Sequence, residues 1–189
     1  MSVSVLVVCT GNVCRSPVTE RLLRQGLDAR RVSGVTVGSA GTDARAGEPM
    51  TAEAASIVVR AGGDPTGHAA RPLSDRLLAE ADLVLVATRA HRTSVVQRRP
   101  ALLRRAVTIR EAGRLALLLA PGLVGRSPAE RWCELASSLA VARGRWPAPH
   151  PADDDVEDPY RRDAATYARV GLQVQAAVTS VLAALDHRG

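Results

Sequence analysis

A cysteine and an arginine six positions apart follow the first apolar segment of the chain. Cys9 comes directly after Val3–Val8, and Arg15 precedes Ser16-Pro17, a typical helix start. Converging loop N–H groups, a helix N-terminus and an arginine fork together bind a phosphate-sized dianion. The same positive field favours the thiolate of a cysteine at the start of the loop. The spacing predicts a phosphoryl-transfer site in which Cys9 attacks phosphorus and Arg15 binds the phosphoryl oxygens.

The loop between these two residues carries side chains that suit an anion site. Gly11 allows the backbone to approach the anion closely or to take a positive φ, and Asn12 tolerates the left-handed conformation. Ser16 either caps the following helix or donates a hydrogen bond to the Cys9 thiolate. The residues expected to bind the phosphoryl group, besides Arg15, are Thr10, Gly11, Asn12, Val13, Cys14 and Ser16.

A thiolate mechanism also needs a proton donor for the leaving alkoxide or phenoxide. The candidates lie in the acidic run at residues 153–158, which Pro159 and Tyr160 follow. An acidic run is ordinarily a solvated loop, and we expect this of residues 153–155.

The string VCTGNVCRSP at residues 8–17 resembles the low-molecular-weight protein tyrosine phosphatases. Asp158-Pro159-Tyr160 is similar to the Asp-Pro-aromatic signature of the same family, and the resemblance covers roughly residues 1–110 and 153–185. It implies hydrolysis of phosphotyrosine in proteins through a phosphocysteine intermediate, without a cofactor. Asp158 would be the general acid and then the general base, and Tyr160 an aromatic wall against the substrate ring.

The opposite wall departs from the family pattern. Relatives usually carry an aromatic residue after the Ser-Ala-Gly-Thr segment, whereas residues 42–50 contain none here. We expect Arg45 to stand in its place, either stacking on an aryl ring or pairing with a second anionic group.

The resemblance also implies roles for residues around the loop. Ser39 and His68 resemble residues that brace the loop asparagine. Cys14 is either a small buried side chain or, as the resemblance implies, the partner of Cys9 in a reversible disulfide that protects the thiolate.

Short apolar segments alternate with helical ones, which predicts an α/β fold. We expect an open doubly wound, four-stranded parallel sheet in a three-layer αβα arrangement, and the resemblance implies flavodoxin-like strand order. The predicted strands are Val3–Val8, Val35–Val37, Leu83–Ala87 and Ala106–Ile109. The predicted helices are Pro17–Leu27, one from Pro49 through Val59, and one from about Arg162 to Leu185.

The length predicts one phosphatase domain over residues 1–189, with a helical insertion at 111–152. Within it, residues 114–119 form a predicted short helix. Ser127-Pro128-Ala129-Glu130 has the pattern of a capping box at the start of another helix, which runs to about Arg143. The sequence of this segment indicates no function of its own.

Composition narrows the partners. The chain has no lysine, so its net charge of +6 comes from arginines, and these are scattered rather than clustered. Only 2% of the residues are aromatic. Nucleic-acid binding needs a clustered basic patch with aromatic residues, so we expect no nucleic-acid partner. No histidine, aspartate or glutamate cluster has metal-ligand spacing. Three cysteines and no recognisable secretion signal predict a cytoplasmic protein, and no apolar stretch that we identify predicts a membrane partner.

The expected ligands are a phosphotyrosine protein, a tyrosine kinase being one candidate, and a phosphate or sulfate anion in the loop. Alternatives are a phosphoarginine or small-molecule phosphatase, or a non-catalytic phosphate-binding module. Valine at position 13 favours phosphotyrosine, because relatives similar to phosphoarginine phosphatases have threonine after the loop asparagine. A thiol-relay arsenate reductase needs two further cysteines near one another. Besides Cys9 and Cys14 the chain has only Cys133, so the sequence does not favour this activity.

Overall fold

The first strand is apolar at almost every position because it lies at the centre of a sheet covered on both faces. The computed structural model describes residues 3–186. Its sheet is parallel, with strand order β2-β1-β3-β4, which confirms the predicted fold class and strand order. The strands are β1 (Val3–Cys9), β2 (Val35–Gly41), β3 (Leu83–Val86) and β4 (Ala106–Thr108).

Successive side chains of β1 point into two separate cores, as the period of two in a strand requires. Val5 and Val7 enter one core, Leu6 and Val8 the other. Helices α1, α2, α5, α6 and α7 supply the first core, and α3 and α4 supply the second. The helices of the described residues are α1 (Arg15–Ala29), α2 (Ala52–Arg60), α3 (Asp75–Glu80), α4 (Arg89–Arg98), α5 (Ile109–Leu119), α6 (Pro128–Arg145) and α7 (Ala164–Asp186).

Two predicted boundaries are wrong for reasons of local bonding. Helix α2 begins at Ala52 rather than at Pro49, because the Thr51 hydroxyl caps it by accepting a hydrogen bond from the Ala54 N–H. Strand β2 continues past Val37 to Gly41, because its pairing with β1 runs on as far as Cys9.

The segment at residues 111–152 packs beside β4, the edge strand of the sheet. Helix α5 begins at Ile109, where the Thr108 hydroxyl caps it by accepting from the Glu111 N–H, so the predicted start at residue 114 is wrong. The predicted boundary of the insertion falls inside this helix. Helix α6 begins with the predicted capping box. Its Arg143 donates to the Ala106 carbonyl at 2.8 Å and to the buried Glu111 carboxylate at 2.6 Å. These bonds attach α6 to the start of both β4 and α5.

Helix α7 packs against α1 and α5 and closes the first core. By length and composition alone it is apolar enough to cross a membrane, but half of that apolar stretch is buried inside the fold. Burial of this kind is typical of a core helix, so the length and composition of α7 are only weak evidence for a membrane span.

Gly113 sets how closely α5 approaches α7, and its replacement tests this packing. A Cβ atom at Gly113 would lie 2.6 Å from the Ala177 Cα. We expect Gly113→Ala to lower the free energy of unfolding, since overpacking costs about 1–3 kcal/mol and outweighs the roughly 1 kcal/mol gain in helix propensity.

Gly144→Ala is the matched control near the end of α6, because among the described residues no atom outside the adjoining helix backbone lies within 4 Å of its added Cβ. It should leave stability unchanged or raise it slightly. Urea denaturation of both variants measures the difference, and a stabilised Gly113→Ala protein would show that the two helices can separate freely.

Candidate active site

A cavity of about 220 Å³ opens where β1 ends and α1 begins. Ligands of doubly wound folds bind at the carboxyl ends of the strands, and this cavity lies there. Nine of its ten lining residues belong to the predicted site, and Asp43 is the addition. The lining residues are Cys9, Thr10, Gly11, Val13, Cys14, Arg15, Asp43, Arg45, Asp158 and Tyr160.

Asn12 and Ser16 are absent from that lining. Both were predicted to bind the phosphoryl group, but their side chains are completely buried behind the loop. The left-handed conformation falls on Asn12, at φ 56°, and Gly11 does not adopt a positive φ. Of the two roles expected for Gly11, the structure therefore fits close approach of the backbone to an anion, because Gly11 presents no side chain at the cavity wall.

The Asn12 amide holds this turn through three hydrogen bonds. Its Nδ2 donates to Ser16 Oγ at 2.9 Å and to Ser39 Oγ at 2.8 Å. Its Oδ1 accepts from the Arg71 backbone N–H at 2.9 Å. The His68 ring adds a fourth contact, because Nε2 donates to the Asn12 carbonyl at 2.7 Å. The structure thus places Ser39 and His68 against the loop asparagine.

Glu20 continues this network and was missed by the sequence analysis. Its carboxylate accepts from Ser39 Oγ at 2.6 Å, and only 7% of the residue is exposed. A buried carboxylate needs hydrogen bonds to offset the cost of its burial. Glu20 lies one helical turn after Ser16 on α1, and this spacing could have indicated its place near the loop.

The Ser16 hydroxyl contacts the Cys9 sulfur and does not cap the helix. The N-cap of α1 is Cys14, so the predicted capping role of Ser16 is wrong. Ser16 Oγ lies 3.0 Å from Cys9 Sγ. Because Asn12 already donates to this oxygen, the Ser16 hydroxyl hydrogen is free to point at the sulfur.

Arg15 is buried in the cavity floor, with 4% of the residue exposed. Its Nη2 lies 3.0 Å from an Asp158 oxygen, and its Nη1 donates to the Val156 carbonyl at 3.3 Å. Its Nε is buried and has no hydrogen-bond partner within residues 3–186. A buried donor without a partner is costly, and an anion in the cavity would satisfy it.

The loop that carries the acidic run, residues 153–158 (the acid loop), is attached to helices α4 and α5 rather than fully solvated. Asp153 is exposed as expected, but Asp154 is buried and Asp155 is half-buried. Asp155 accepts from the Arg89 backbone N–H at 2.7 Å, and its carbonyl accepts from Arg110 at 3.1 Å. The expectation for these two aspartates was wrong because arginines of neighbouring helices reach the loop.

Asp154 pairs with Arg114, one turn further along α5 than Arg110, at 3.2 Å. Burial raises the pKa of the Asp154 carboxyl, and the neighbouring guanidinium acts in the opposite direction. Asp158 itself remains half-exposed at the cavity mouth. The loop is thus fixed at its start and leaves its last carboxylate open to a ligand.

Arg45 and Tyr160 face each other at the mouth. The Arg45 guanidinium carbon lies 5.4 Å from the centre of the Tyr160 ring, and Arg161 lies 5.2 Å from that ring. Arg45 also pairs with Glu48 at 2.6 Å, while its backbone N–H donates to the Gly11 carbonyl. Arg45 thus lines the mouth beside Tyr160, and its replacement of an aromatic residue of the family stays a prediction.

Cys14 is buried beside α7. Its sulfur lies 3.5 Å from the Tyr167 hydroxyl and 3.7 Å from the Thr51 hydroxyl. Burial raises the pKa of the Cys14 thiol, so this sulfur is held as a thiol. Both Cys9 and Cys14 are free, and a disulfide between them stays a prediction.

His91 is the second residue that the sequence analysis missed. His91 Nε2 lies 3.0 Å from Thr10 Oγ1, and Nδ1 lies 2.6 Å from Thr88 Oγ1. Burial, together with the positive charge of Arg15, lowers the pKa of His91 to about 4. Its place just after β3, next to β1 in the sheet, was the signal that could have identified it.

Known proteins share this architecture. The structure of the tyrosine phosphatase amsI from Erwinia amylovora superposes with a TM-score of 0.69 at 23% identity, over 97% of this chain and 93% of that one. The YwlE arginine phosphatase from Geobacillus stearothermophilus superposes with a TM-score of 0.67 at 22% identity, over the same shares. At these identities both establish the fold.

Sequence comparison is more specific. A probable low molecular weight protein-tyrosine-phosphatase, EpsP, from Ralstonia nicotianae is 41% identical over 98 residues, 52% of this chain and 64% of the relative. The match thus spans less than two thirds of that relative. The family model described as low molecular weight phosphotyrosine protein phosphatase matches residues 4–111, more than half of the chain. The chain therefore belongs to the low molecular weight phosphotyrosine protein phosphatase family.

Proposed function

We propose that this protein hydrolyses phosphotyrosine in proteins through a phosphocysteine intermediate. One observation carries the proposal: a single cavity is lined by the Cys9 sulfur, the buried Arg15 guanidinium and the Asp158 carboxylate. Binding of an anion alone requires neither a nucleophile nor an acid, so their convergence favours an enzyme over a binding module.

In the first step the Cys9 thiolate attacks phosphorus. The new S–P bond forms as the P–O bond to the phenolic oxygen breaks, and Asp158 donates its proton to that oxygen. Arg15 exchanges Asp158 for the equatorial oxygens of the phosphoryl group and stabilises their charge. The Ser16 hydroxyl, 3.0 Å from the Cys9 sulfur, stabilises the thiolate before it attacks phosphorus and again when phosphate has been released.

In the second step water hydrolyses the phosphocysteine. The Asp158 carboxylate takes a proton from the water as its oxygen attacks phosphorus, and the S–P bond breaks to return the Cys9 thiolate and release phosphate. The position of Asp158 at the mouth, half-exposed, gives both the leaving group and the water access to it.

The proposed substrate is a tyrosine-phosphorylated protein, with Tyr160 against the substrate ring. The buried, apolar Val13 in the cavity wall supports this over phosphoarginine, because it offers no polar contact to a guanidinium. We propose the cytoplasm as the compartment, since the mechanism requires Cys9 to stay reduced.

The first prediction tests the nucleophile. Cys9→Ser should lower the turnover of a phosphotyrosine peptide by at least about a thousandfold under reducing conditions, because a serine hydroxyl is not ionised there. Cys133→Ser is the matched control and should keep wild-type turnover, since Cys133 lies outside the cavity on α6.

Phosphoarginine, whose phosphoryl group is bound to nitrogen, is assayed alongside and distinguishes a phosphotyrosine phosphatase from a phosphoarginine phosphatase. Acid quenching followed by mass spectrometry should locate a phosphoryl group on Cys9 of the wild-type protein. If neither substrate is turned over while inorganic phosphate still binds, the protein is a binding module.

The second prediction concerns the attachment of the acid loop. Asp155→Ala removes the bond to the Arg89 N–H and should lower kcat/KM for phenyl phosphate about tenfold, because Asp158 is then less well placed to protonate the leaving group and kcat/KM reports only the steps up to its departure. The loss should be smaller for p-nitrophenyl phosphate, whose leaving group needs little protonation. Asp153→Ala, at an exposed neighbour, should leave both rates unchanged. Equal losses on the two esters would contradict a role through the acid.

The third prediction concerns Arg45. A substrate carboxylate beside the phosphotyrosine can replace Glu48 as the partner of this exposed guanidinium, and exposed pairs contribute up to about 1 kcal/mol. Arg45→Ala should therefore lower kcat/KM about three- to fivefold for a peptide with acidic flanking residues and leave a neutral peptide unaffected. Arg104→Ala, at the opposite edge of the sheet before β4, is the control. An equal loss on both peptides would assign Arg45 to ring stacking instead.

A further inference from the structure

We propose that His91 is a positioning residue that turns the Thr10 hydroxyl hydrogen into the cavity, making Thr10 a fixed hydrogen-bond donor to the phosphoryl group. The inference rests on the proposed function only in that the cavity must bind a phosphoryl anion. It assigns a role to a side chain that touches neither the substrate nor the nucleophile.

The geometry places the His91 ring between two threonine hydroxyls. Thr10 follows Cys9 and lines the cavity, while Thr88 caps the start of α4. The ring nitrogens lie 3.0 Å from Thr10 Oγ1 and 2.6 Å from Thr88 Oγ1, and only 9% of the residue is exposed. The ring is thus held at both nitrogens and has little freedom to turn.

The Thr88 side chain fixes which nitrogen carries the hydrogen. Thr88 Oγ1 already accepts from the His91 backbone N–H at 3.3 Å, as a helix cap does. Its hydroxyl hydrogen is then available for Nδ1, and the short 2.6 Å distance suits an O–H donor. With Nδ1 accepting, the hydrogen of a neutral imidazole sits on Nε2, which donates to Thr10 Oγ1.

Thr10 Oγ1 therefore receives two hydrogen bonds. One comes from His91 Nε2, and the other from Arg15 Nη2 at 3.4 Å. A hydroxyl oxygen has two lone pairs, so both are occupied and its own hydrogen must point elsewhere. The remaining direction faces the cavity that Thr10 lines, where a phosphoryl oxygen would accept it.

The electrostatic setting keeps the ring in the required form. Burial and the neighbouring positive charge of Arg15 oppose protonation of His91, and the smaller effects of Asp158 and Asp155 favour it. A neutral ring has one N–H, so the pattern of donors stays the same across the neutral pH range.

A double-mutant cycle on inorganic phosphate affinity tests the proposal in the full-length protein. Thr10→Val keeps the shape of the side chain but removes the hydroxyl, and should weaken phosphate binding about tenfold, as expected for a hydrogen bond to a charged group. His91→Leu should weaken binding severalfold. The double variant should bind no more weakly than Thr10→Val, because His91 acts only through Thr10.

A conservative pair of substitutions separates positioning from packing. The Gln side chain can place an amide N–H near the His91 Nε2 position, whereas that of Asn reaches only the Nδ1 position. His91→Gln should therefore recover phosphate affinity to within about twofold of the wild type, and His91→Asn should not. This pair remains informative if His91→Leu does not fold.

Calorimetric titration with phosphate measures each variant independently of turnover, so a protein that hydrolyses no ester would fail the proposed function and still test this inference. Losses that multiply in the double variant would overturn it. So would a Thr10→Val protein that binds phosphate as tightly as the wild type, or equal affinities of His91→Gln and His91→Asn.

Discussion

The turn at Asn12 is the constraint on which the rest of the site depends. A non-glycine residue at φ 56° is uncommon, and its side-chain amide stabilises it through buried bonds to both a strand and a helix. This turn brings the loop back over the end of β1, so that Cys9 and Arg15 face one cavity. The same amide occupies one side of the Ser16 oxygen and thereby directs its hydroxyl at the sulfur. The buried Asn12 side chain thus fixes both the shape of the loop and the hydrogen bond from Ser16 to the Cys9 sulfur.

The features readable from the sequence are those that neighbours along the chain determine. Strand β1, the loop and the start of α1 are consecutive, and their residue types predicted a nucleophile and a phosphate clamp that line one cavity. The alternation of apolar strands and helices predicted the parallel sheet, since both faces must be covered. Elements set by a single hydroxyl, such as the start of α2 at Thr51, were misplaced by a few residues because several capping residues lie close together.

Contacts between distant segments were not readable. His91 meets Thr10 across 81 positions, and Asp155 meets the Arg89 N–H across 66. An aspartate in an acidic run has the same local signature whether it is solvated or caps a helix, so the sequence predicted the wrong environment for Asp155. Only the strand order, which sets β3 beside β1, brings residues after β3 to the loop. Knowledge of topology is therefore what identifies His91 as a candidate positioning residue.

This chain has arginines and no lysine, and the structure gives that choice a physical meaning. Arg143 reaches both a buried carboxylate and an edge-strand carbonyl, and Arg114 joins the Trp146 carbonyl at the end of α6 to Asp154. Arg15 likewise contacts Asp158 and the Val156 carbonyl. A planar guanidinium with five donors binds two acceptors on different segments at once, whereas a lysine ammonium is a strongly hydrated point charge. Because the acid loop is a long connection without strand pairing, its position depends on such forked contacts. The segment at residues 111–152 thus contributes to the site through Arg114, whose bond to Trp146 ties the end of α6 to the start of the acid loop.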